Sequence, residues 1–189
     1  AVANAAQLRL WAPELGSEPE KILGVLPLFH VFAMTVVMNH GLMLGAEMIL
    51  LPRYELRQLL KTIDKKKPTV FVGVPTLYAA INNAKETQGI DLSSLKFCIS
   101  GGAPLPVEVK HRFEALSGSV LVEGYGLSET APVATCNPTS SDSVTARSIC
   151  ADAMMRAPDA IMRREPYRSR STPAGICIPA YTTICRTTK

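Results

Sequence analysis

Short apolar runs alternate along residues 1–138 with segments in which apolar residues recur every three or four positions. The apolar runs predict buried strands at 22–28, 47–51, 69–72, 96–100 and 120–123. Helices are predicted before and between them at 1–11, 31–44, 55–67, 75–85 and 106–117, from helix-forming composition, apolar period and bounding prolines. Strands that alternate with helices in this way are typical of βαβ units. The sequence therefore predicts an α/β fold with a mainly parallel, buried sheet.

The clearest helix follows Pro52, where apolar residues occupy one face at positions i, i+3, i+4 and i+7, namely Leu56, Leu59, Leu60 and Ile63. Its last turn carries Lys65, Lys66 and Lys67, and Pro68 ends it. We interpret this lysine run as a solvated helix end and not as a nucleic-acid site.

Three glycine-containing loops follow predicted strands, at 73–75, 100–104 and 124–130. Ligands of parallel sheets bind beyond the carboxyl ends of the strands, where such loops meet. In the third loop, which ends the strand predicted at 120–123, Tyr125 offers a ring, Ser128 a hydroxyl and Glu129 a carboxylate. These groups suit a base, a phosphate and a metal ion, although an ordinary glycine-rich turn remains the alternative.

Composition and charge exclude several classes of protein. Hydrophobic residues make up 47% and charged residues 19% of the 189, which excludes general disorder. The five cysteines form no CxxC spacing, which argues against a disulfide framework or a zinc site. Residues 1–138 hold 12 basic and 12 acidic side chains, whereas 139–189 hold 8 and 4. We therefore expect no nucleic-acid partner for the body of the chain.

The sequence divides at residue 138. Residues 139–189 are rich in arginine and lack the alternation of turns, strands and helices that precedes them. Two interpretations fit this composition, a genuine flexible basic tail or codons translated out of frame, and we favour the second. We place no functional site there.

Residues 22–46 contain no charged side chain, a length of 25 that could span a bilayer. Polar or helix-breaking residues interrupt this segment at Pro27, His30, Asn39 and His40. A strand followed by a buried helix is therefore the better interpretation, with a membrane-anchored protein as the minor alternative. The first residues show no secretory signal pattern, and we do not predict secretion.

Isolated histidines and cysteines carry little information by themselves. His30, between a strand and a helix, is more often structural than catalytic in such a place. We assign no role to His40 or His111, and we expect Cys98 and Cys136 to behave as small buried hydrophobic residues.

Four segments, taken together in their order along the chain, indicate a function more specifically than the single residues do. LVEGYGLSETAPVATCNP at 121–138 resembles the signature of the adenylate-forming acyl-CoA synthetases. Three further segments occur in the order and spacing found in bacterial long-chain fatty-acid–CoA ligases: LPLFHVFAMT at 26–35, FVGVPTLYAAI at 71–81 and LKFCISGGAPLPVEVKHRFEALSG at 95–118. The resemblance covers residues 1–138 and implies part of the large AMP-binding domain of such an enzyme.

The resemblance implies a reaction in two steps. A fatty-acid carboxylate attacks the α-phosphate of ATP to give acyl-AMP and pyrophosphate, and the thiolate of coenzyme A then displaces AMP. The implied partners are small molecules (fatty acid, ATP and CoA) together with Mg²⁺. The implied location is the cytoplasm, with association with the inner face of the membrane left open, as are the oligomeric state and the acyl chain length.

The resemblance also implies roles for individual residues. Tyr125 stacks on adenine beside Gly126, and the backbone side of the same pocket comes from Gly101, Gly102, Ala103 and Pro104. Ser128 bonds the α-phosphate, Glu129 ligates Mg²⁺ and His30 lies by the reacting carboxylate. The acyl slot is lined by Gly73, Val74 and Gly124.

Parts of the family pattern are not found in the sequence. By the resemblance, the phosphate loop with its lysine is expected just before Ala1, outside this sequence, and neither the ribose-binding Asp nor the small C-terminal domain is recognised in 139–189. We therefore expect a fragment that makes no acyl-CoA by itself. The alternative is a non-catalytic remnant that binds a nucleotide or an acyl group and carries a basic interaction tail.

Overall fold

The computed structural model describes residues 2–12 and 15–137, and the predictions made for 139–189 lie outside them. Six strands form one sheet in the described part: β1 (Lys21–Gly24), β2 (Glu47–Leu50), β3 (Val70–Gly73), β4 (Phe97–Ser100), β5 (Val120–Gly126) and β6 (Val133–Cys136). Their order across the sheet is β2-β1-β3-β4-β5-β6. All neighbours are parallel except β5 and β6, so the predicted α/β fold is confirmed.

The helices begin and end close to the predicted positions. They are α1 (Val2–Trp11), α2 (Val31–Ala33), α3 (His40–Leu44), α4 (Leu56–Lys66), α5 (Pro75–Asn83) and α6 (Val107–Ser117). The helix predicted at 31–44 is continuous but differs in kind, because Met34–Asn39 between α2 and α3 is a π-helix. The helix predicted to begin at Pro106 begins one residue later, and it ends at residue 117 as predicted, followed by Gly118 with a left-handed φ of 71°.

Alternate side chains of the strands face two helical layers. Leu23, Phe71, Cys98 and Leu121 form a row across β1, β3, β4 and β5, each of them fully buried. This row packs with residues of α4, α5 and α6. The opposite face, which includes Ile22 and Val122, packs against α1 and the helix at 31–44. Burial on both faces explains why the strands are almost entirely apolar.

Strand β5 corrects the sequence analysis, which ended it at residue 123. It pairs with β4 over 120–123 and then continues over Gly124–Gly126 as the partner of β6. Strand β6 was missed in the sequence. A Cβ atom on Gly126 would lie 1.9 Å from the carbonyl oxygen of Pro132, so glycine permits this close approach of the two strands.

The uncharged segment 22–46 does not form a single helix, since it divides into β1, a turn and the helix at 31–44. Within residues 2–12 and 15–137 no helix combines the length and the apolar character that a membrane span requires. Cys98 and Cys136 are buried, as predicted.

Candidate active site

The loops that follow β1, β3, β4 and β5 enclose a cavity of about 420 Å³ at the carboxyl ends of these strands. Most of its wall is apolar and comes from Leu8, Leu26, Val31, Phe32, Val74, Ile99, Val133 and Cys136. Polar side chains that line it are His30, Tyr125 and Ser128. The cavity thus joins an apolar interior to a few polar groups, which is the usual composition of a small-molecule site.

His30 reaches the cavity from the turn after β1. Its amide donates a hydrogen bond to the carbonyl of Pro27 at 3.0 Å, and its own carbonyl accepts one from Met34 at 2.9 Å. The imidazole is exposed and lies against the Phe29 ring, with the ring centroids 4.6 Å apart. The turn and the helix therefore fix the backbone of His30 and leave its ring free to meet a ligand.

Phe32 forms a wall of the cavity above the loop after β4. A Cβ atom on Gly101 would lie 2.9 Å from the Phe32 ring, closer than such contacts occur. Glycine at this position lets the ring lie directly on the backbone. The next residue, Gly102, has a backbone φ of +82°, which residues other than glycine rarely adopt.

Glu123 ties the loop after β4 to β5. The amide of Leu105 donates a hydrogen bond to Oε1 of Glu123 at 2.9 Å. Gly101 and Gly102 line the cavity, whereas Ala103 and Pro104 are exposed and do not. Pro104 nevertheless directly precedes the tethered Leu105. Sequence analysis gave no role to Glu123, although it lies within the motif that carries the family resemblance.

Val74 lines the cavity, but the adjacent Gly73 lies behind the wall. Gly73 faces the Tyr78 ring, and an added Cβ atom would approach that ring to 3.2 Å. The fully buried Tyr78 donates its hydroxyl to the carbonyl of Ile99 at 2.8 Å. Tyr78 therefore packs the ends of β3 and β4 together beneath the cavity.

Tyr125 and Ser128 lie where β5 leaves the sheet. The Tyr125 side chain is 61% exposed, so one face of its ring is available to a flat ligand. Ser128 begins a short 3₁₀ helix, Ser128–Thr130, and is also exposed. The hydroxyl of Thr130 accepts a hydrogen bond from the amide of Leu127 at 3.0 Å, which fixes this turn.

Glu129 is exposed in the same 3₁₀ helix and does not line the cavity. Among the described residues no group of three or more histidine, cysteine or acidic side chains could enclose a metal ion. A single carboxylate still suits Mg²⁺, which proteins commonly hold through one or two carboxylates together with substrate phosphates. Glu129 therefore fits the implied Mg²⁺ only if the phosphates of a bound nucleotide supply further ligands.

Asn4 is a structural residue that the sequence analysis missed. Its amide nitrogen donates to the carbonyl of Val133 at 2.9 Å, and its amide oxygen accepts from the Val133 amide at 3.1 Å. The side chain thereby joins α1 to β6 as an additional strand would. The available signal in the sequence was an asparagine between two alanines in a predicted helix.

His40 lies in the core and not in the site. It is 3% exposed, and its Nε2 atom has no hydrogen-bond partner among the described residues. Burial lowers the pKa of this imidazole to about 4, and the nearby Arg9 charge acts in the same direction. His40 is consequently a neutral buried residue at ordinary pH.

The structure brings together most of the residues predicted for the site. Those that line one cavity are His30, Val74, Gly101, Gly102, Gly124, Tyr125, Gly126 and Ser128. Those outside its lining are Gly73, Ala103, Pro104 and Glu129. The chemical roles of all twelve remain predictions.

Comparisons with known proteins show the family to which the chain is similar. The family model described as AMP-binding enzyme matches residues 1–156. A long-chain-fatty-acid–CoA ligase of Bacillus subtilis is 50% identical over 136 residues, which are 72% of this chain and 24% of that protein. The 4-coumarate–CoA ligase 1 of Arabidopsis thaliana is 40% identical over 113 residues, 59% of this chain and 20% of the relative.

A solved structure shows the same fold. It is an anthranilate CoA ligase in complex with anthranoyl-AMP, 26% identical, with a TM-score of 0.62 over 71% of this chain and 27% of that one. The chain thus spans about a quarter of the length of the proteins that it matches.

Proposed function

Because this chain belongs to the family of AMP-binding enzymes, we propose that its cavity holds the acyl-adenylate of an ATP-dependent acid–CoA ligase. In the proposed reaction a carboxylate oxygen attacks the α-phosphorus of ATP and pyrophosphate leaves. The thiolate of CoA then attacks the acyl carbon and AMP leaves. The observation that carries the proposal is one cavity that combines an apolar interior with Tyr125, Ser128 and His30.

The nucleotide half of the adenylate belongs at the ends of β4 and β5. We assign Tyr125 to stacking on adenine, beside Gly126, with the backbone of residues 101–104 on the other side. The exposed ring and the tether between Glu123 and Leu105 support this assignment. Ser128 would donate a hydrogen bond to the α-phosphate, where negative charge develops during attack.

The acid half belongs in the apolar interior. His30 lies at the cavity, where it would meet the reacting carboxylate. Val74 and Gly124 line the wall on which an acyl chain would lie, and Gly73 supports that wall from behind. The 50% identity to a long-chain-fatty-acid–CoA ligase favours a fatty acid as the substrate.

An aromatic acid is the second candidate. The relative from Arabidopsis is named for 4-coumarate, and the solved structure contains anthranoyl-AMP. A flat aromatic acid would also fit an apolar wall that includes the Phe32 ring.

Glu129 would hold Mg²⁺ together with the phosphates of the nucleotide. The ion would supply positive charge that balances the phosphate oxygens during nucleotide binding. Since Glu129 is exposed and lies outside the cavity lining, its role depends on the bound phosphates.

Calorimetric titration of the 189-residue chain tests the proposal with three probes: AMP, a non-hydrolysable long-chain acyl-sulfamoyl-adenosine and its benzoyl counterpart. Binding is the readout because we expect no acyl-CoA synthesis by this chain alone. We expect the long-chain probe to bind most tightly. Tighter binding of the benzoyl probe would favour an aromatic acid, and no binding of any probe would contradict the proposal.

Two variants connect such binding to the assigned residues. Tyr125→Ala should weaken all three probes about tenfold through loss of stacking. Ser128→Ala should weaken them severalfold through loss of one hydrogen bond. Tyr54→Ala is the matched control, since Tyr54 is also exposed but lies after β2, outside the lining of the cavity. Equal effects of Tyr125→Ala and Tyr54→Ala would exclude stacking on Tyr125.

A further inference from the structure

Tyr78, on α5, is fully buried and lies behind the wall of the candidate active site without lining the cavity itself. Its ring packs edge-on against Phe71 of β3 and Phe113 of α6, with ring centroids 5.2 and 4.9 Å apart. Pairs of aromatic rings prefer this geometry. The two contacts hold the Tyr78 ring in place, so the position of its hydroxyl is fixed as well.

The Tyr78 hydroxyl bridges two neighbouring strands. Its oxygen lies 2.8 Å from the carbonyl oxygen of Ile99 in β4 and 3.2 Å from that of Phe71 in β3, within donating distance of both. Burial raises the pKa of this hydroxyl well above the ordinary value of 10, so it stays protonated and able to donate. The hydroxyl therefore ties the backbone of β4 to that of β3 from the side of the sheet that α5 covers.

The strand ends that Tyr78 joins carry residues of the candidate site. The side chain of Ile99 lies on the other face of the sheet and lines the cavity. Strand β3 ends at Gly73, and the next residue, Val74, lines the same cavity. The relative position of Val74 and Ile99 therefore depends on how β3 and β4 are held together where they end.

The loops beyond these two strands also touch each other. The amide of Gly101 donates a hydrogen bond to the carbonyl of Gly73 at 3.2 Å. A Cβ atom on Gly102 would lie 3.6 Å from Cγ1 of Val74, so Val74 packs on the loop after β4. Gly73 lies against the Tyr78 ring, which a Cβ atom at Gly73 would approach to 3.2 Å. Tyr78 thus lies under the point at which the two loops meet.

We propose that Tyr78 is a positioning residue for the acid half of the site, and that its hydroxyl sets the separation of Val74 and Ile99 and so the width of the acyl slot. This inference rests on the proposed function, because it concerns the acid that the cavity would bind. Loss of the hydroxyl should let β3 and β4 separate at their ends and reduce the fit to an acyl chain. The nucleotide contacts proposed for Tyr125 and Ser128 should remain.

Tyr78→Phe tests this inference because it removes the hydroxyl and keeps the ring. Calorimetric titration of the full 189-residue chain uses AMP, the long-chain acyl-sulfamoyl-adenosine and its benzoyl counterpart. We expect the long-chain probe to bind about fivefold more weakly, as for one lost hydrogen bond, and AMP to bind within about twofold of its original affinity. The benzoyl probe should lose less than the long-chain probe, because its acyl group contacts less of the wall. The preference between the two acids should therefore change.

Ile63→Val is the matched control for a general loss of stability. Ile63 is fully buried in the same core cluster as Tyr78, but it belongs to α4 and does not line the cavity. Both variants should lower the urea midpoint of unfolding by similar amounts. Ile63→Val should nevertheless keep the ratio of the three affinities. If it changes this ratio as Tyr78→Phe does, or if Tyr78→Phe weakens AMP as much as the long-chain probe, the proposal is wrong.

Gly73→Ala tests the same mechanism from the opposite side of the contact. The new methyl group would press on the Tyr78 ring and displace the hydroxyl from its acceptors. In the Tyr78→Phe background that hydrogen bond is already lost. The two changes together should therefore weaken the long-chain probe by less than the product of their separate effects. Effects that multiply in full would show that the methyl group acts on the slot directly, and they would overturn the coupling through Tyr78.

Amide hydrogen exchange followed by NMR provides a readout that needs no ligand. The Gly101 amide should exchange about fivefold faster in Tyr78→Phe than in Ile63→Val, because its bond to Gly73 crosses the two strand ends. Unchanged exchange at Gly101 would contradict the proposal even if every probe binds. Faster exchange at Gly101, with no probe bound by the unaltered chain, would support Tyr78 as the tie between the loops and would contradict only the proposed function.

Discussion

The amide of Leu105 donates a hydrogen bond to the carboxylate of Glu123 at 2.9 Å. This contact joins the loop after β4 to strand β5. Glu123 is the last residue of β5 that pairs with β4, and the next residue, Gly124, pairs with β6. Both strands carry residues proposed to surround adenine. The Glu123 carboxylate therefore holds the loop on one side of the proposed nucleotide pocket to the strand on the other side.

Glu123→Ala should loosen this pocket and leave the amide of Leu105 without its partner. We expect a loss of about 1–2 kcal/mol in the free energy of unfolding and severalfold weaker AMP binding. Urea denaturation and calorimetry measure the two quantities. Glu123→Gln retains an acceptor oxygen and should remain close to the unaltered chain. Glu108→Ala, which removes an exposed carboxylate from α6, is the charge control. If Glu108→Ala has the same effect, charge and not the tether is responsible.

Gly126→Ala should disrupt the junction of β5 and β6. The new Cβ atom would lie 1.9 Å from the backbone carbonyl oxygen of Pro132, and a backbone atom cannot rotate away. We expect a loss of about 3 kcal/mol or more in the free energy of unfolding. Gly124→Ala is the control in the same strand, because its Cβ atom would find ordinary contacts, the nearest at 3.7 Å. Comparable losses in both variants would show that strand propensity, not the close approach, is decisive.

Gly101→Ala should push the Phe32 ring out of its position in the cavity wall. The added methyl group would lie 2.9 Å from the far end of that ring, and a side chain can move where backbone cannot. We expect weaker binding of the long-chain acyl-sulfamoyl-adenosine with only a modest change in stability. Phe32→Leu in the same chain should restore part of the binding, since it removes the clashing ring atoms. A double-mutant cycle measures this coupling, and strictly additive effects would contradict it.

His40 should make stability depend on pH. Its pKa in the folded chain is about 4, below the ordinary value of 6.5, so the unfolded chain takes up this proton first as the pH falls. The contribution of the neutral His40 imidazole to the free energy of unfolding is fully present above pH 6.5. About 2–3 kcal/mol of it is lost as the pH falls towards 4. Urea denaturation at pH 6.5 and 4 measures it. His40→Gln should remove this part of the pH dependence, whereas His111→Gln, on an exposed part of α6, should retain it. An unchanged dependence in His40→Gln would exclude His40 as its source.

The sequence predicted the parallel part of the fold because buried strands and amphipathic helices differ clearly in period. Leu23, Phe71, Cys98 and Leu121 show this, since each lies in a short apolar run. Strand β6 was missed because Val133–Cys136 is short. It pairs only with the part of β5 that extends beyond β4, and the local sequence does not indicate that pairing. The π-helix was missed for a similar reason, because a wider turn leaves the apolar pattern nearly unchanged.

The candidate site was predicted mainly through motifs and not through periodicity. Glycines and polar residues after strands indicated the loops, and eight of the twelve named residues line one cavity. Of the apolar wall only Val74 was predicted, because others such as Leu8 and Cys136 belong to elements distant in the chain. Contacts such as that between Glu123 and Leu105 depend on the relative placement of two loops, which the residue pattern alone does not specify.

The paired hydrogen bonds between Asn4 and Val133 connect residues 129 positions apart. During synthesis on the ribosome, helix α1 leaves the exit tunnel long before β6 exists. The Asn4 side chain must therefore wait for its partner until nearly all of residues 2–136 have emerged, although the apolar side of α1 can already pack against the helix at 31–44. Val133 and Cys136 complete the described cavity wall, so an interruption of translation before Val133 would leave the sheet without the contact that secures α1.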